Sequence, residues 1–157
     1  MVAVLHNIRS LTNVGSIFRT ADGAGVSKLF LCGITGAPID QWGRARRLVK
    51  KVALGAEQYV PWEKATSTLR VMRALKTAGY TLYAVEQAKH AKPYYSVKNQ
   101  HPSRIALILG SETRGLPRGA LNFADAILEI PMAGKKESLN VAVAFGIVAY
   151  HFSRPHT

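Results

Sequence analysis

The 157-residue sequence contains little of several residue types on which whole classes of protein depend. Cys32 is its only cysteine, so an internal disulfide and a thiolate metal cluster are excluded. The five histidines are not spaced like metal ligands, and we expect no metal site. The apolar run at the N-terminus is too short for a signal peptide, and that near the C-terminus is about 15 residues, against the ~20 that span a bilayer. We therefore expect a cytoplasmic protein without a membrane partner.

Acidic residues are scarce as well. Nine Asp and Glu stand against 21 Lys and Arg, which gives a formal net charge of +12. A charge of this size suits a polyanionic partner, and nucleic acid is the leading candidate. A basic protein without such a ligand stays the alternative on charge alone. A DNA-binding regulator is disfavoured because the sequence has no helix-turn-helix pattern.

The usual nucleotide-binding glycine motifs are missing. The segment GSETRGLP at residues 110–117 has the glycine spacing of a phosphate loop. Leu116 and Pro117, however, occupy the positions where that loop requires Lys and then Ser or Thr. No G-x-G-x-x-G motif follows a predicted strand, so a Rossmann dinucleotide site has no support. A nucleotide-type ligand other than a triphosphate remains compatible with these loops.

What the sequence does contain is an alternation of short apolar runs with helical patterns. The runs predict strands over residues 2–5, 28–34, 57–62, 81–85, 105–110 and 126–130. The helical patterns cover residues 14–24, 63–78, 117–123 and 139–152, with a further short helix inside the basic segment 41–51. This alternation indicates one α/β domain over residues 1–157, with a parallel sheet covered on both faces. Ligands of such sheets lie at the C-terminal ends of the strands.

The segment SLNVAVAFGIVAY at residues 138–150 predicts a terminal helix with two apolar sides. At ~100° per residue the two sides are Val141, Phe145, Val148 and Phe152, and opposite them Leu139, Val143 and Tyr150. One side would pack on the chain's own sheet, and the other predicts a two-fold homodimer through residues 139–152. A helix enclosed within one monomer is the alternative. Ser138 is the expected N-cap, and the loop before it could bind a small molecule or be an ordinary capped loop.

The segment NVGSIFRTADGAG at residues 13–25 predicts an amphipathic helix with Asn13 at its cap. Its expected core stripe is Val14, Ile17, Phe18 and Ala21. Gly15 and Arg19 lie four apart and are expected on the outward side. An outward arginine is usually solvated, but a guanidinium beside uncovered backbone also suits a phosphate. A second basic cluster comprises Arg44, Arg46, Arg47, Lys50 and Lys51. We expect it to contact an RNA or DNA backbone, and the alternative is a solvated helix face.

Three segments, at residues 7–26, 107–117 and 128–150, together resemble the SpoU/TrmH family of the SPOUT superfamily. They read NIRSLTNVGSIFRTADGAGV, LILGSETRGLP and LEIPMAGKKESLNVAVAFGIVAY, in the order and spacing of that family. Its members are RNA ribose 2′-O-methyltransferases that use S-adenosylmethionine, release S-adenosylhomocysteine and need no metal. The resemblance covers essentially the whole chain. It implies a Rossmann-like parallel sheet with a C-terminal trefoil knot, and dimerisation through the C-terminal helix.

The resemblance also implies roles for individual residues. Arg19 corresponds to the catalytic arginine, which would either shuttle a proton or stabilise the developing alkoxide. The other expected catalytic positions are Asn13, Glu112, Ser138 and Asn140. The expected cofactor-binding residues are Val85, Glu86, Leu109, Gly110, Gly115, Ile130, Met132, Ser138 and Leu139. The expected RNA-binding residues are Arg9, Arg19, Arg44, Arg46, Arg47, Lys50 and Arg114.

The same resemblance bears on the substrate. Many relatives carry an extra RNA-binding domain before the catalytic one, whereas this sequence starts at its first strand. The resemblance implies that a minimal form like this occurs among tRNA-modifying members, so we expect tRNA rather than ribosomal RNA as the substrate. The alternative is a non-catalytic RNA-binding protein that retains the fold, and the complete set of catalytic-type residues argues against it.

Overall fold

Within residues 1–98 and 101–153, which a computed structural model of the chain describes, seven parallel strands form one sheet. The strands are β1 (Val2–His6), β2 (Lys28–Cys32), β3 (Trp62–Ala65), β4 (Thr81–Val85), β5 (Lys92–Pro93), β6 (Ile105–Leu109) and β7 (Ala126–Glu129). The helices are α1 (Leu11–Gly23), α2 (Arg47–Ala53), α3 (Ala56–Tyr59), α4 (Thr68–Thr77), α5 (Arg118–Phe123) and α6 (Val141–Ser153). The strand order across the sheet is β3-β2-β1-β6-β4-β7-β5. The expected α/β fold is confirmed, and the trefoil knot stays a prediction.

Helices cover both faces of the sheet because its central strands are apolar on both sides. Successive residues of a strand point to opposite faces. Leu5 and Leu107 accordingly join one core with residues of α1, α2 and α6. Val4 and Ile108 join a second core with residues of α4 and α5. Every residue of β6 is buried, as expected for a central strand of a parallel sheet.

The structure corrects one predicted strand and one helix start. Residues 57–62 were expected as a strand, but the chain forms α3 there, and the strand is β3, Trp62–Ala65. Residues 63–65, expected to open a helix, instead pair with β2. Helix α4 begins at Thr68. Its N-cap is Ser67, whose hydroxyl accepts a hydrogen bond from the Arg70 N–H at 3.2 Å. Sequence periodicity also missed the two-residue strand β5.

Two expected helix caps are wrong. Helix α1 is capped by Ser10, whose hydroxyl accepts the Asn13 N–H at 3.2 Å, so Asn13 lies within the first turn. Ser138 lies in the loop before α6 rather than at its cap. The Asn140 side-chain oxygen caps α6 instead, because it accepts the N–H groups of Ala142 at 2.9 Å and Val143 at 3.3 Å.

The core stripe of α1 is confirmed, but the position of Gly15 is not as expected. Arg19 is exposed, whereas Gly15 is buried against α2. A Cβ at Gly15 would lie 2.9 Å from the Val49 carbonyl oxygen, so the missing side chain allows the two helices to pack closely. The fully buried residues of the stripe are Val14, Ile17, Phe18 and Ala21.

Helix α6 buries one of its two apolar sides. Phe145, Val148 and Phe152 are fully buried against the sheet. Val143 and Tyr150, on the other side, are 51% and 43% exposed, and Leu139 before the helix is 37% exposed. This second apolar side therefore faces outward in the single chain.

The described residues are also informative about membranes and metals. None of their helices is long and apolar enough to cross a membrane. Among them, no three or more His, Cys, Asp or Glu side chains are grouped so as to hold a metal ion. His156, one of the five histidines, lies outside the described residues.

Candidate active site

A cavity opens at the C-terminal ends of the three neighbouring strands β6, β4 and β7. Its volume is about 540 Å³, within the range of roughly 300–1,000 Å³ that small-molecule sites occupy. Most of the lining residues lie in the segments 85–88, 109–116, 128–130 and 138–141. The cavity is therefore bounded by the loops after three strands and by the start of α6.

Two glycines allow the loop after β6 to fold tightly along this cavity. The Gly115 N–H donates to the Ser111 carbonyl oxygen at 2.9 Å, and Gly115 has a φ of +63°. A Cβ at Gly110 would overlap the backbone of Gly115, and a Cβ at Gly115 would overlap the Glu86 carboxylate. Glycine is therefore required at both positions for this wall to form.

Glu86 and Gln87 tie the three cavity loops together. The Glu86 carboxylate accepts hydrogen bonds from the Leu116 N–H at 3.0 Å and from the Gln87 N–H at 3.1 Å. The Gln87 side-chain amide donates to the Ile130 carbonyl oxygen at 2.7 Å. The loop after β4 is thus bonded both to the loop after β6 and to the end of β7.

A second polar network joins the loop after β6 to the starts of α1 and α6. The Glu112 carboxylate accepts hydrogen bonds from the N–H groups of Arg9 and Ser10, each at 3.2 Å. It also accepts one from the Asn13 side-chain amide at 3.0 Å. The Asn13 side-chain oxygen in turn accepts from the Asn140 amide at 3.0 Å. One hydrogen-bonded network thereby connects Glu112, Asn13 and Asn140, which come from three separate motifs.

These bonds also set the charge of Glu112. Partial burial by itself would raise the pKa of the carboxyl. The hydrogen bonds from Asn13 and from the backbone of Arg9 and Ser10 outweigh burial and lower that pKa below its ordinary value. Glu112 is therefore ionised at neutral pH.

The cavity is acidic although the chain is strongly basic. Glu86, Glu112 and Glu129 line it, and among residues 1–98 and 101–153 Arg114 is the one basic residue of the lining. Three of the nine acidic residues of the chain are thus gathered at one cavity. Carboxylates in such a cleft favour a ligand that carries positive charge.

The structure brings most of the expected cofactor-binding residues together. Met132 is half-buried and does not line the cavity, which separates it from the others. Those that do line it are Val85, Glu86, Leu109, Gly110, Gly115, Ile130, Ser138 and Leu139.

The expected catalytic residues divide into three groups. Glu112, Ser138 and Asn140 line the cavity. Asn13 is hydrogen-bonded to Glu112 and to Asn140. Arg19 is exposed and is not part of the lining. It lies six residues after Asn13, which is about 9 Å along α1 and about 120° around it. Asn13 faces Asn140 at the cavity, so Arg19 starts from a different side of α1 than Asn13 does.

A second cavity, of about 460 Å³, lies at the end of β1 and shares the wall of the loop after β6. It contains two of the expected RNA-binding residues, Arg9 and Arg114. Sequence reasoning missed His6, Asn7 and Ile34, which also line it. The available signal was their position, because residues just beyond a strand of a parallel sheet lie at its ligand-binding edge.

Apart from Arg19 in α1, the remaining expected RNA-binding residues follow β2. Arg44, Arg47 and Lys50 are exposed and Arg46 is half-buried, in the loop after β2 and in α2. That loop leaves the sheet at the same edge as the two cavities. The basic segment therefore begins at the same edge of the sheet as the two cavities.

Fold and site together define an α/β protein with a ligand cavity outside the carboxyl ends of its parallel strands. The chain belongs to the SpoU rRNA Methylase family, which it matches over residues 1–150.

Individual relatives agree with this membership. The 23S rRNA (guanosine-2′-O-)-methyltransferase RlmB of Salmonella typhi is 33% identical over 154 residues, which cover 98% of this chain and 60% of that protein. The chain thus spans about three fifths of the length of the curated relatives it matches.

Solved structures of similar proteins share the fold. An AdoMet-bound rRNA methyltransferase from Sinorhizobium meliloti has a TM-score of 0.86 at 29% identity, over 96% of this chain and 54% of that one. A structure that concerns the 2-OH methylation of C/U34 on tRNA has a TM-score of 0.80 at 28% identity, over 96% of this chain and 91% of that one.

Proposed function

We propose that the chain is an S-adenosylmethionine-dependent methyltransferase that methylates a ribose 2′-hydroxyl in RNA. The observation that carries the proposal is the acidic cavity at three strand ends, whose wall is bonded through Glu112 to Asn13 and Asn140. Family membership and the similarity to 2′-O-methyltransferases support the same reaction. A non-catalytic RNA-binding protein would have no use for a small-molecule cavity joined to these residues.

The cavity fits S-adenosylmethionine in size and charge. That molecule supplies an activated methyl group on a positively charged sulfur, and three carboxylates line the cavity. Leu109, Ile130 and Leu139 line the cavity at the loops after β6 and β7 and before α6, where their backbone would contact its polar parts. The residues proposed to bind it are Val85, Glu86, Leu109, Gly110, Gly115, Ile130, Ser138 and Leu139.

The protein's own chemical task is to orient the ribose hydroxyl and to assist the loss of its proton. A guanidinium keeps its proton and is a poor base, so Arg19 would act by stabilising the developing alkoxide while it contacts an RNA phosphate. Ionised Glu112 would hold Asn13 in place, and Asn13 with Asn140 would position the ribose. Ser138, exposed at the cavity edge, is available as a further hydrogen-bonding group.

We further propose a homodimer in which Arg19 serves the cavity of the partner subunit. The exposed apolar side of the terminal segment, formed by Leu139, Val143 and Tyr150, is the surface that a second copy would cover. Arg19 is exposed and does not line its own cavity, and α1 packs beside α6, where the methyl group of Thr20 faces Gly146. Both helices would therefore border the same interface.

The substrate class is the finer part of the proposal. The curated relatives that carry the name 23S rRNA methyltransferase favour ribosomal RNA over the tRNA expected from the sequence. The structure that concerns C/U34 of tRNA keeps tRNA as the second candidate. An RNA substrate of either class agrees with the expected cytoplasmic location.

The test is methylation of separately purified ribosomal RNA and tRNA with methyl-labelled S-adenosylmethionine, followed by mapping of the labelled nucleotide. We expect label on one ribose 2′-oxygen, and none with Arg19→Ala. Label on a base, or wild-type transfer by Arg19→Ala together with normal RNA and cofactor binding, would refute the proposed reaction.

A further inference from the structure

The loop after β2 contains a tight turn that the proposed function does not use. Residues 39 and 45 form an antiparallel bridge, and the Asp40 N–H donates to the Arg44 carbonyl oxygen at 2.8 Å. Gly43, in the turn, has a φ of +78°, a conformation that suits glycine. The turn therefore has a defined backbone although it lies at the surface.

The Asp40 carboxylate fixes this turn from inside. It accepts hydrogen bonds from the N–H groups of Trp42 and Arg44 and from the Arg44 Nε, each at 2.9 Å. These bonds, with that to the Arg44 N–H first, lower the pKa of Asp40 below its ordinary value. The carboxylate is thus ionised at neutral pH and fixes the backbone of Trp42 and Arg44.

The turn presents an indole and a guanidinium as one unit. The Arg44 Cζ lies 4.7 Å from the Trp42 ring centroid, a cation–π distance. Trp42 is nevertheless 69% exposed, so most of its ring surface is open to solvent. A large aromatic side chain held in place but left uncovered contributes little to the folded core.

The surroundings of Trp42 are cationic. Arg46, Arg47, Lys50 and Lys51 follow within nine residues, and Asp40 is neutralised by its contact with Arg44. The turn lies in the same loop after β2 as Ile34, which lines the second cavity. The Lys64 Nζ holds that part of the loop, because it donates to the carbonyl oxygens of residues 33 and 35 on either side of Ile34.

We propose that Trp42, backed by Arg44, is a stacking platform for an unpaired RNA base beside the methylation site. Sequence-tolerant binding of RNA strands combines cations that contact phosphates with aromatic faces that stack on bases. Both components are present in this turn and the residues that follow it. Because Arg44 lies over the indole and Asp40 fixes the Trp42 backbone, ordering of the indole on binding costs little conformational entropy. The inference rests on the proposed function, since it takes RNA to be the substrate.

The first experiment observes Trp42 directly. The chain has two tryptophans, so Trp62→Phe leaves Trp42 as the only indole fluorophore. We expect a short single-stranded RNA to quench its emission in a saturable titration. Unchanged emission at RNA concentrations that saturate a separate filter-binding assay would overturn the inference.

The second experiment measures affinity and turnover at fixed salt. Trp42→Ala should weaken RNA binding and raise the RNA KM roughly tenfold, the order expected when one base loses its aromatic partner, with kcat unchanged. Trp42→Phe should restore most of the affinity. Tyr95→Ala, which removes another exposed aromatic side chain, at the β5 end of the sheet, is the matched control and should leave RNA binding unchanged.

The salt dependence separates stacking from a phosphate contact. Trp42→Ala should leave the slope of log affinity against log salt unchanged, whereas Arg47→Ala should reduce it by about one.

RNA affinity equal to wild type in Trp42→Ala would overturn the inference. Loss of the dimer in Trp42→Ala would overturn it as well, because Trp42 would then be a subunit contact. If RNA quenches Trp42 but wild type transfers no methyl group, the proposed function fails and the stacking platform stands. If wild type methylates RNA and Trp42→Ala does so with the same KM, only the platform fails.

Discussion

Replacement of Glu112 by Gln tests the hydrogen-bonded chain that connects the cavity wall to α1. The carboxylate accepts bonds from Arg9, Ser10 and Asn13, and the amide of Gln would present a donor to N–H groups that are themselves donors. Glu112 is exposed, so each bond contributes toward the lower end of the usual range. We expect Glu112→Gln to lower the free energy of unfolding by about 1–2 kcal/mol and the melting temperature by about 2–8 °C.

The effect should depend on pH in a defined direction. Folding lowers the pKa of Glu112, so the stabilisation is fully present above the ordinary glutamate pKa and is lost as pH falls through the folded value. The difference in melting temperature between wild type and Glu112→Gln should be full at about pH 7 and should shrink toward about pH 3. Glu137→Gln, an exposed glutamate before α6, is the control and should show neither effect. Equal melting temperatures at pH 7, or a difference that persists at low pH, would refute the assigned role of these bonds.

Two further predictions concern the proposed dimer. Val143→Asp should give a monomer by analytical ultracentrifugation, because it adds a charge to the proposed interface. The control Leu48→Asp, on the exposed side of α2, should stay dimeric. A dimeric Val143→Asp would refute the proposed interface. Mixing Arg19→Ala with Gly115→Ala subunits should recover about a quarter of wild-type activity, because half of the dimers are hybrids with one intact site of two. Recovery of no activity would mean that Arg19 serves its own cavity.

Much of the fold could be predicted because its central elements have clear periodicity. The edge elements could not. Glu63 and Lys64 lie in an exposed edge strand and resemble the first turn of a helix, so local propensity favoured a helix where pairing with β2 decides the outcome. Strand β5 has two residues, one of them a proline, and is too short for any periodic signal.

The helix caps show the same limit at closer range. Ser10 and Asn13 are both good capping residues, and Asn140 competes with Ser138 before α6. The choice depends on where each helix meets the cavity wall, because Asn13 and Asn140 bond to each other across two helices. Such long-range pairing has no trace in a single sequence.

The residues of the candidate site were expected from the resemblance to the SpoU/TrmH family, and the structure shows which of them meet. The glycines at 110 and 115 and the carboxylates of Glu86 and Glu112 meet at one cavity because neighbouring strands end there. The outward direction of Arg19 follows from helical spacing. The burial of Gly15 does not follow from helical spacing, because it depends on how closely α2 approaches α1. Trp42 attracted no prediction because its exposure and its contact with Arg44 become visible only in the folded turn.

Calorimetric titration with S-adenosylmethionine tests the central claim, that the cavity between the loops after β4, β6 and β7 holds the methyl donor. Wild type should bind one molecule per chain. Gly115→Ala should bind at least about tenfold more weakly, because its Cβ meets Glu86 and its φ is positive. Gly119→Ala, where a Cβ meets open space, should bind as wild type does. Absence of binding to wild type, or equal affinity in Gly115→Ala, would contradict the account.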